Sequence, residues 1–309
     1  MSQTDWGLYA GTRRGGVFRL NTKTNDWESL GLSSASIRSI VFVPRTPSRL
    51  LVGLDAQEVF QTTEAAIYAT GDSGRTWFAS DGGMAAANGG MLWAPSLAVD
   101  PRQPHRLFWH LGFVILRSDD AGLTWDFVLG DLKDLGGDAP SIVASADVAG
   151  QVFAAVGSPL GTFLVYRSTD GGDTWDFVIP FPRAEIPIYS LALDPLRQTL
   201  WAGMDGLVAR SDDKGETWQV EEVNVGIVSA LVLLRGDLLA VELVPDLDKG
   251  CGKGQFNGLL ALHRLQGGAE EWDEIAVPPG ICGALSATVD SLARLVIGTA
   301  GSGVWRWSP

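Results

Sequence analysis

The stretch SDDAGLTW, residues 118–125, occurs four times in the chain in nearly the same form. The other copies are TGDSGRTW from Thr70, STDGGDTW from Ser168 and SDDKGETW from Ser211. Successive copies lie 43 to 50 residues apart, and weaker copies end at Trp27 and Trp272. A repeat of this period predicts an array of supersecondary units, such as a propeller or a solenoid.

Between the copies, short apolar runs alternate with turn residues. The run IYSLALD (188–194) is rich in residues that favour strands, and a proline follows its final Asp. Four strands fit in each unit, and a radial array of such units forms a propeller. We therefore predict an all-β chain and a seven-bladed β-propeller of four-stranded antiparallel blades, with six blades as the alternative. Residues 1–309 would form a single domain, and its ring would close by joining Trp6–Leu20 to Val304–Trp307.

The composition restricts the class of protein. The chain has 309 residues, of which 46% are hydrophobic, and a formal net charge of -13. This acidic surface would repel phosphate, so we predict no nucleic-acid partner. No apolar run approaches the roughly 18 residues that span a bilayer, so we predict no membrane insertion. The first residues, MSQTDWGLYAG, lack the pattern of a signal peptide, so the predicted location is the cytoplasm. There we expect Cys251 and Cys282 to be reduced thiols by default, with a pair formed across adjacent blades as the open alternative, and we predict no metal and no cofactor.

The recurrent pattern Ser/Thr-x-Asp-x-Gly-x-Thr-Trp resembles the Asp-box, or BNR repeat. Asp-boxes occur in the propellers of sialidases, sortilin-type receptors, xyloglucan-degrading hydrolases and the photosystem II assembly factor. The resemblance implies that each copy is the turn between the third and fourth strands of a blade. The chemistry agrees, because Asp and Ser/Thr can bond backbone N–H groups in the turn, Gly permits positive φ, and Trp can bury ~200 Å². The residues with this predicted structural role are Asp72, Trp77, Asp120, Trp125, Asp170, Trp175, Asp213 and Trp218.

A ligand site is expected at the opposite end of the strands from the boxes, where loops on a rigid scaffold concentrate binding residues. The sequence assigns no catalytic residue. Arginine pairs in turns can bind a carboxylate through two parallel hydrogen bonds, or can remain solvated. Carboxylates in these turns could pair across the mouth of the propeller. The candidate ligand-binding residues are Arg13, Arg14, Arg38, Glu58, Trp93, His110, Asp205 and Glu242.

Two functions remain open at the level of sequence. A sialidase of this architecture would carry an F/Y-R-I-P segment, three arginines and a Tyr–Glu pair, and the nearest segment here is FVPRTP (42–47). This departure favours a non-catalytic propeller that binds a protein, a small molecule or a carbohydrate. The alternative is a glycoside hydrolase that uses two rim carboxylates, as the resemblance implies. A cluster of arginines marks the binding face of the assembly factor, and here only Arg13 and Arg14 are adjacent.

Overall fold

The computed structural model describes residues 8–308 apart from 22, 45, 47, 56–64, 85–93, 131–140, 158–162, 179–185, 246–257, 268, 270, 280, 283, 290–292 and 300–303. Every element with described bounds is a β-strand. The chain divides into two compact units. Unit 1 comprises Met1–Pro159 and Tyr166–Phe177, and unit 2 comprises Leu160–Val165 and Val178–Pro309.

Unit 1 contains antiparallel sheets whose strands pair in chain order. The first sheet consists of β1 (Tyr9–Thr12), β2 (Gly16–Leu20) and β3 (Trp27–Ser29). The second consists of β4 (Ile37–Phe42), β5 (Leu50–Leu54), β6 (Ile67–Thr70) and β7 (Phe78–Ala79). The third consists of β8 (Ser96–Val99), β9 (Leu107–Leu111), β10 (Val114–Ser118) and β11 (Asp126–Leu129). The fourth consists of β12 (Ser141–Ala144), β13 (Val152–Gly157), β14 (Phe163–Ser168) and β15 (Asp176–Val178), with Tyr166–Phe177 as the part of β14 and β15 that belongs to unit 1.

Unit 2 contains a seven-stranded sheet and a three-stranded sheet. The larger sheet consists of β16 (Ser190–Leu193), β17 (Leu200–Gly203), β18 (Asp205–Ser211), β19 (Gln219–Leu234), β20 (Asp237–Pro245), β21 (Gly258–Leu265) and β22 (Trp272–Ile275). The smaller consists of β23 (Ala284–Val289), β24 (Leu295–Thr299) and β25 (Val304–Trp307).

Burial changes systematically across the four-stranded sheets. The second strands β5, β9, β13 and β17 are buried at every residue, which explains their continuous apolar sequences. The fourth strands β7, β11 and β15 are short and mostly exposed. In unit 1, the fully buried Trp109 packs edge-on against Trp125 at 5.6 Å between ring centroids. The core of each sheet therefore lies on its inner strands, and the edge strand faces solvent.

The number of blades differs from the prediction. The described residues show five complete four-stranded sets, three as separate sheets and two within the seven-stranded sheet, where they share β19. The first and last sheets have three strands each. Seven four-stranded blades, or six, are therefore not what the described residues show. The fused sheet arises because the 16 residues of β19 run without a break from the fourth strand of one set into the first strand of the next. Ring closure and a single domain over residues 1–309 stay predictions.

Candidate functional site

Each of the four recurrent turns is closed by hydrogen bonds to its own Asp. Asp120 Oδ1 accepts the Thr124 N–H at 2.9 Å, and Oδ2 accepts the Thr124 hydroxyl at 2.6 Å. Ser118 Oγ donates to Asp120 Oδ1 at 2.7 Å and accepts the Gly122 N–H at 2.8 Å. The corresponding bonds to the Thr N–H and hydroxyl recur at Asp72, Asp170 and Asp213. Both oxygens of every such carboxylate are thus occupied within the turn.

These hydrogen bonds keep the carboxylates ionised. Bonds from the Thr174 hydroxyl and N–H are the chief cause that lowers the pKa of Asp170 to about 2. The pKa values of Asp72 and Asp213 fall for the same reason. General acid–base catalysis is most efficient when the pKa lies near the operating pH. Carboxylates this acidic, with both oxygens occupied, are poorly suited to proton transfer at neutral pH.

The turn between β1 and β2 presents Arg13 and Arg14 at the end of the sheet opposite the β2–β3 connection. The Thr12 hydroxyl closes the turn by donating to the Gly16 carbonyl at 3.0 Å. Arg14 has φ of 64°, a left-handed conformation that non-glycine residues seldom adopt. A Cβ at Gly16 would overlap the carbonyls of residues 31 and 32, so only glycine fits there. The arginine turn is therefore held firmly against the segment that precedes β4.

That preceding segment brings a third arginine to the same end of unit 1. The Arg14 N–H donates to Ser36 Oγ at 3.1 Å. Arg38 follows two residues later in β4 and is exposed, as is Arg13. The Ser36 carbonyl accepts the Asp55 N–H at 3.0 Å, which places one carboxylate-bearing residue beside the arginines. We call Arg13, Arg14 and Arg38 the arginine rim.

His110, predicted as a ligand contact, is fully buried in β9. Its Nε2 lies 3.1 Å from the Gly112 carbonyl. Burial lowers the pKa of His110 to about 4, so the imidazole is neutral at pH 7. It stands opposite Ser96, at the register position that Gly53 occupies opposite Ser39 in the preceding sheet. The side chain is therefore enclosed by unit 1, in contrast to the predicted open position.

Glu242, predicted as a rim carboxylate, is also enclosed. It lies in β20 with 0% of its surface exposed. Its Oε1 is 3.6 Å from His263 Nε2, and neither carboxylate oxygen has a hydrogen-bond partner among the described residues. Burial raises the pKa of Glu242 to about 7, and the Gly226 N–H, which lies near the carboxylate without forming a hydrogen bond of normal geometry, partly opposes this rise.

The sequence pattern predicts no role for His263. A signal was present, because in LLAVELV (238–244) and LLALHRL (259–265) one polar residue interrupts an apolar face. Ala240 pairs with His263, and Glu242 pairs with Ala261, which puts both polar side chains on one face. Only the register between β20 and β21 shows that these two interruptions meet.

The remaining candidates divide between the exposed surface and the undescribed part of the chain. Asp205 begins β18 and is exposed. Glu58 and Trp93 lie outside the described residues. In unit 1 the structure places the turn of Arg13 and Arg14 against the segment that leads into Arg38, and Asp205 and Glu242 lie in unit 2.

The expectation of reduced cysteines is wrong for Cys282, which is disulfide-bonded. The other cysteine of the chain, Cys251, lies outside the described residues. Cys282 pairs with Leu259 through an isolated β-bridge, and Leu259 comes eight residues after Cys251 in the sequence. This register, which the sequence does not reveal, is the physical reason for the difference.

Other binding features are few in the described part of the chain. A shallow depression is lined by Gln103–Arg106 and Asp119, beside the recurrent turn that follows β10. Arg106 and Asp119 form a salt bridge of 2.6 Å there, so their charges compensate each other. No set of three or more acidic, histidine or cysteine side chains that could hold a metal occurs among the described residues. Nor does this part of the chain contain a helix long and apolar enough to cross a bilayer.

Comparison with known proteins shows the fold. The sequence matches no protein-family model and no curated protein. Among solved structures, it is similar to the GH74 xyloglucanase from Xanthomonas campestris, with a TM-score of 0.68 and 15% identity over 98% of this chain. It is equally similar to a chain of the mitotic checkpoint complex, with a TM-score of 0.68 and 12% identity over 97% of this chain and 83% of that one. For YCF48 bound to D1 peptide, the TM-score is 0.51 and the identity 14%, over 100% of this chain and 97% of that one.

These similarities establish an all-β propeller. Identities this low carry no information on activity. The chain spans 50% of the length of the xyloglucanase and 36% of an ancestral GH74 enzyme. The structures with this fold include both enzymes and proteins in complexes, so the function has to be argued from the side chains.

Proposed function

We propose that this protein is a non-catalytic propeller that binds an acidic segment of a partner protein through the arginine rim. The observation that supports the proposal is the hydrogen-bonded junction of the 12–16 turn with residues 31–36, which lies two residues before Arg38 at one end of unit 1. Loops held by a rigid scaffold are the usual place for binding residues. The rim lies at the end opposite the box turns, where the sequence predicts a ligand.

Charge supports an acidic ligand. The chain as a whole carries a formal net charge of -13, so a group of three arginines is opposite in sign to the protein as a whole. Guanidinium groups bind carboxylates through paired, charge-assisted hydrogen bonds. An acidic segment would be repelled elsewhere on the surface and attracted at the rim, which gives the interaction its direction.

The conformation of the turn supports a preorganised site. Arg14 adopts a left-handed φ, and such conformations are frequent at binding sites. Because the backbone around Arg14 and Ser36 is already hydrogen-bonded, little conformational entropy would be lost when a ligand binds. The similarity to YCF48 bound to D1 peptide and to a chain of the mitotic checkpoint complex is consistent with a binding function, as an analogy of fold.

The test measures binding of a fluorescein-labelled hexaglutamate peptide by anisotropy at low salt. We expect saturable binding that weakens at least about tenfold when Arg13→Ala and Arg38→Ala are combined, since one charge-assisted hydrogen bond contributes ~1.5 kcal/mol. Arg75→Ala is the matched control, because Arg75 is exposed in a box turn. Equal affinity for hexaglutamate and hexalysine, or equal loss in the control, would contradict the proposal.

The alternative function is hydrolysis of a glycosidic bond by rim carboxylates. The specific observation in its favour is Glu242, whose pKa of about 7 would suit a general acid. Against it, Glu242 is fully buried and hence out of reach of a sugar in this structure. A panel of chromogenic glycosides separates the two functions. Turnover that disappears in both Glu242→Gln and Asp205→Asn would establish the hydrolase and overturn the binding scaffold.

A further inference from the structure

Glu242 is a buried acid that the proposed binding function does not use. Its side chain is fully enclosed, and among the described residues neither oxygen accepts a hydrogen bond. An ionised carboxylate without partners is strongly disfavoured in a protein interior. The geometry alone therefore favours a carboxyl group that carries a proton or shares one with its neighbour.

His263 is that neighbour, and it connects Glu242 to the surface. His263 Nε2 lies 3.6 Å from Glu242 Oε1, and the imidazole is 7% exposed. In the register of β21 with β22, His263 is directly opposite Glu274, which is exposed. Side chains opposite each other in a sheet lie within contact range. Glu274, His263 and Glu242 thus form a row from solvent to the core of unit 2.

The inner end of this row adjoins the place where β19 passes from one four-stranded set to the next. A Cβ built on Gly226 would lie 3.1 Å from Glu242 Oε2. Val228, the register partner of Glu242, donates its N–H to the Met204 carbonyl at 2.9 Å. The Val228 carbonyl accepts the Ser190 hydroxyl at 3.1 Å. A change of charge at Glu242 therefore acts on the backbone that joins the two sets.

Other charged groups on the packed strands are engaged elsewhere or exposed. Glu221 on β19 accepts the Trp272 indole N–H at 3.1 Å. Arg210 on β18 pairs with Asp212 at 2.9 Å, and Asp205 at the start of β18 is exposed. Among the described residues, His263 is the one basic side chain within salt-bridge distance of Glu242.

We propose that Glu242, His263 and Glu274 form a proton-responsive junction in unit 2, in which protonated Glu242 keeps β19 paired with β20 and its ionisation loosens that pairing around Gly226. Burial sets the pKa of folded Glu242 at about 7, above the ordinary value of 4.5. The stabilising contribution of the proton is therefore complete below about pH 4.5 and is lost as the pH rises through about 7. Burial lowers the pKa of His263, so its contribution is lost as the pH falls below its ordinary value of 6.5.

Hydrogen exchange of the whole protein, followed by mass spectrometry, tests the junction. After correction for intrinsic rates, we expect peptides within residues 219–245 to exchange about tenfold faster at about pH 8 than at about pH 6, because the ionised fraction of a carboxyl whose pKa is about 7 rises about tenfold between these pH values. Glu242→Gln should remove this difference, since the amide does not titrate. The exposed Glu271→Gln is the control and should retain it.

A pH dependence of exchange that is the same in the wild type and Glu242→Gln would overturn the proposal. If Glu242→Gln fails to fold, infrared spectroscopy of the wild-type protein decides instead. The proposal requires a protonated-carboxyl band at about pH 6, where unperturbed Asp and Glu are ionised, and its disappearance by about pH 8.5. Absence of that band at about pH 6 would show that Glu242 is ionised in the folded protein and would contradict the proposal.

Discussion

Asp120 lies in a turn and Glu242 in a strand, and the surroundings of the two carboxyl groups shift their pKa values in opposite directions. Asp120 lies near the surface, and its oxygens accept bonds from Ser118 and Thr124. Glu242 is enclosed by unit 2 and lacks hydrogen-bond partners among the described residues. The pKa of Asp120 is lowered to about 2 despite the opposing effect of burial, and burial raises that of Glu242 to about 7. The supply of donors, more than the residue type, decides which carboxylate is structural and which can respond to pH.

The largest effect on stability is expected when the carboxylate of a recurrent turn is removed. Asp120→Ala should lower the free energy of unfolding by about 2 kcal/mol, because several hydrogen bonds to an ionised group are lost at a partly exposed site. Chemical denaturation at neutral pH measures it. The control is Asp126→Ala in β11, where the carboxylate is exposed and a change within about 0.5 kcal/mol is expected. Equal effects of the two substitutions would show that the turn does not depend on its carboxylate.

A gain in the free energy of unfolding is expected when the buried carboxyl group of Glu242 is replaced by an apolar side chain of similar length. Glu242→Met should raise the free energy of unfolding at about pH 8 by about 1 kcal/mol, because replacing an unpaired buried charge is often stabilising. At about pH 5, where the carboxyl group of folded Glu242 is protonated, the gain should shrink. Thermal denaturation at both pH values measures the difference. A loss of stability at about pH 8 would mean that the carboxylate has a partner that compensates its burial.

The smallest expected effect is the loss of the stabilising contribution of Asp170 at acidic pH. The folded pKa of Asp170, about 2, lies below its ordinary value of 3.8. Its stabilising contribution is therefore present above about pH 4 and is lost as the pH falls toward 2. Because Asp170 is exposed, solvent screening should keep this contribution below about 1 kcal/mol. Unfolding of the wild type and of Asp170→Asn should converge below about pH 2, and a constant gap between them at all pH values would contradict this origin.

Much of the fold was readable from the repeat. The prediction of an all-β propeller is confirmed, because strand patterns and box turns are local and recur with one period. The described residues show five complete four-stranded sets and a three-stranded sheet at each end, where seven four-stranded blades were predicted, and no local signal showed that β19 would continue through residues 224–226 and join two sets into one sheet. The prediction for Cys282 failed for a related reason, since a bond to a cysteine depends on pairing between distant segments.

The candidate site was only partly readable. The sequence selected Arg13 and Arg14 as adjacent residues, and Arg38 as a separate candidate. That Arg38 lies near the other two depends on the hydrogen bond from the Arg14 N–H to Ser36, which joins the turn between β1 and β2 to the residue before β4. Glu242 was selected as a rim residue, yet it lies on the same buried face of β20 as Ala240, beside His263. Their function, as a binding rim and a proton-responsive junction, stays a proposal.

The sequence by itself determined the strands, the acidic character and the chemistry of the recurrent turns, because hydrogen bonds between residues two to four apart need no distant partner. Only the tertiary structure decided which polar side chains are enclosed and which meet. Burial and register are set by strands far apart in the chain, and a shift of one residue moves a side chain to the opposite face. That is why the sequence could name Glu242 and could not show its partnership with His263.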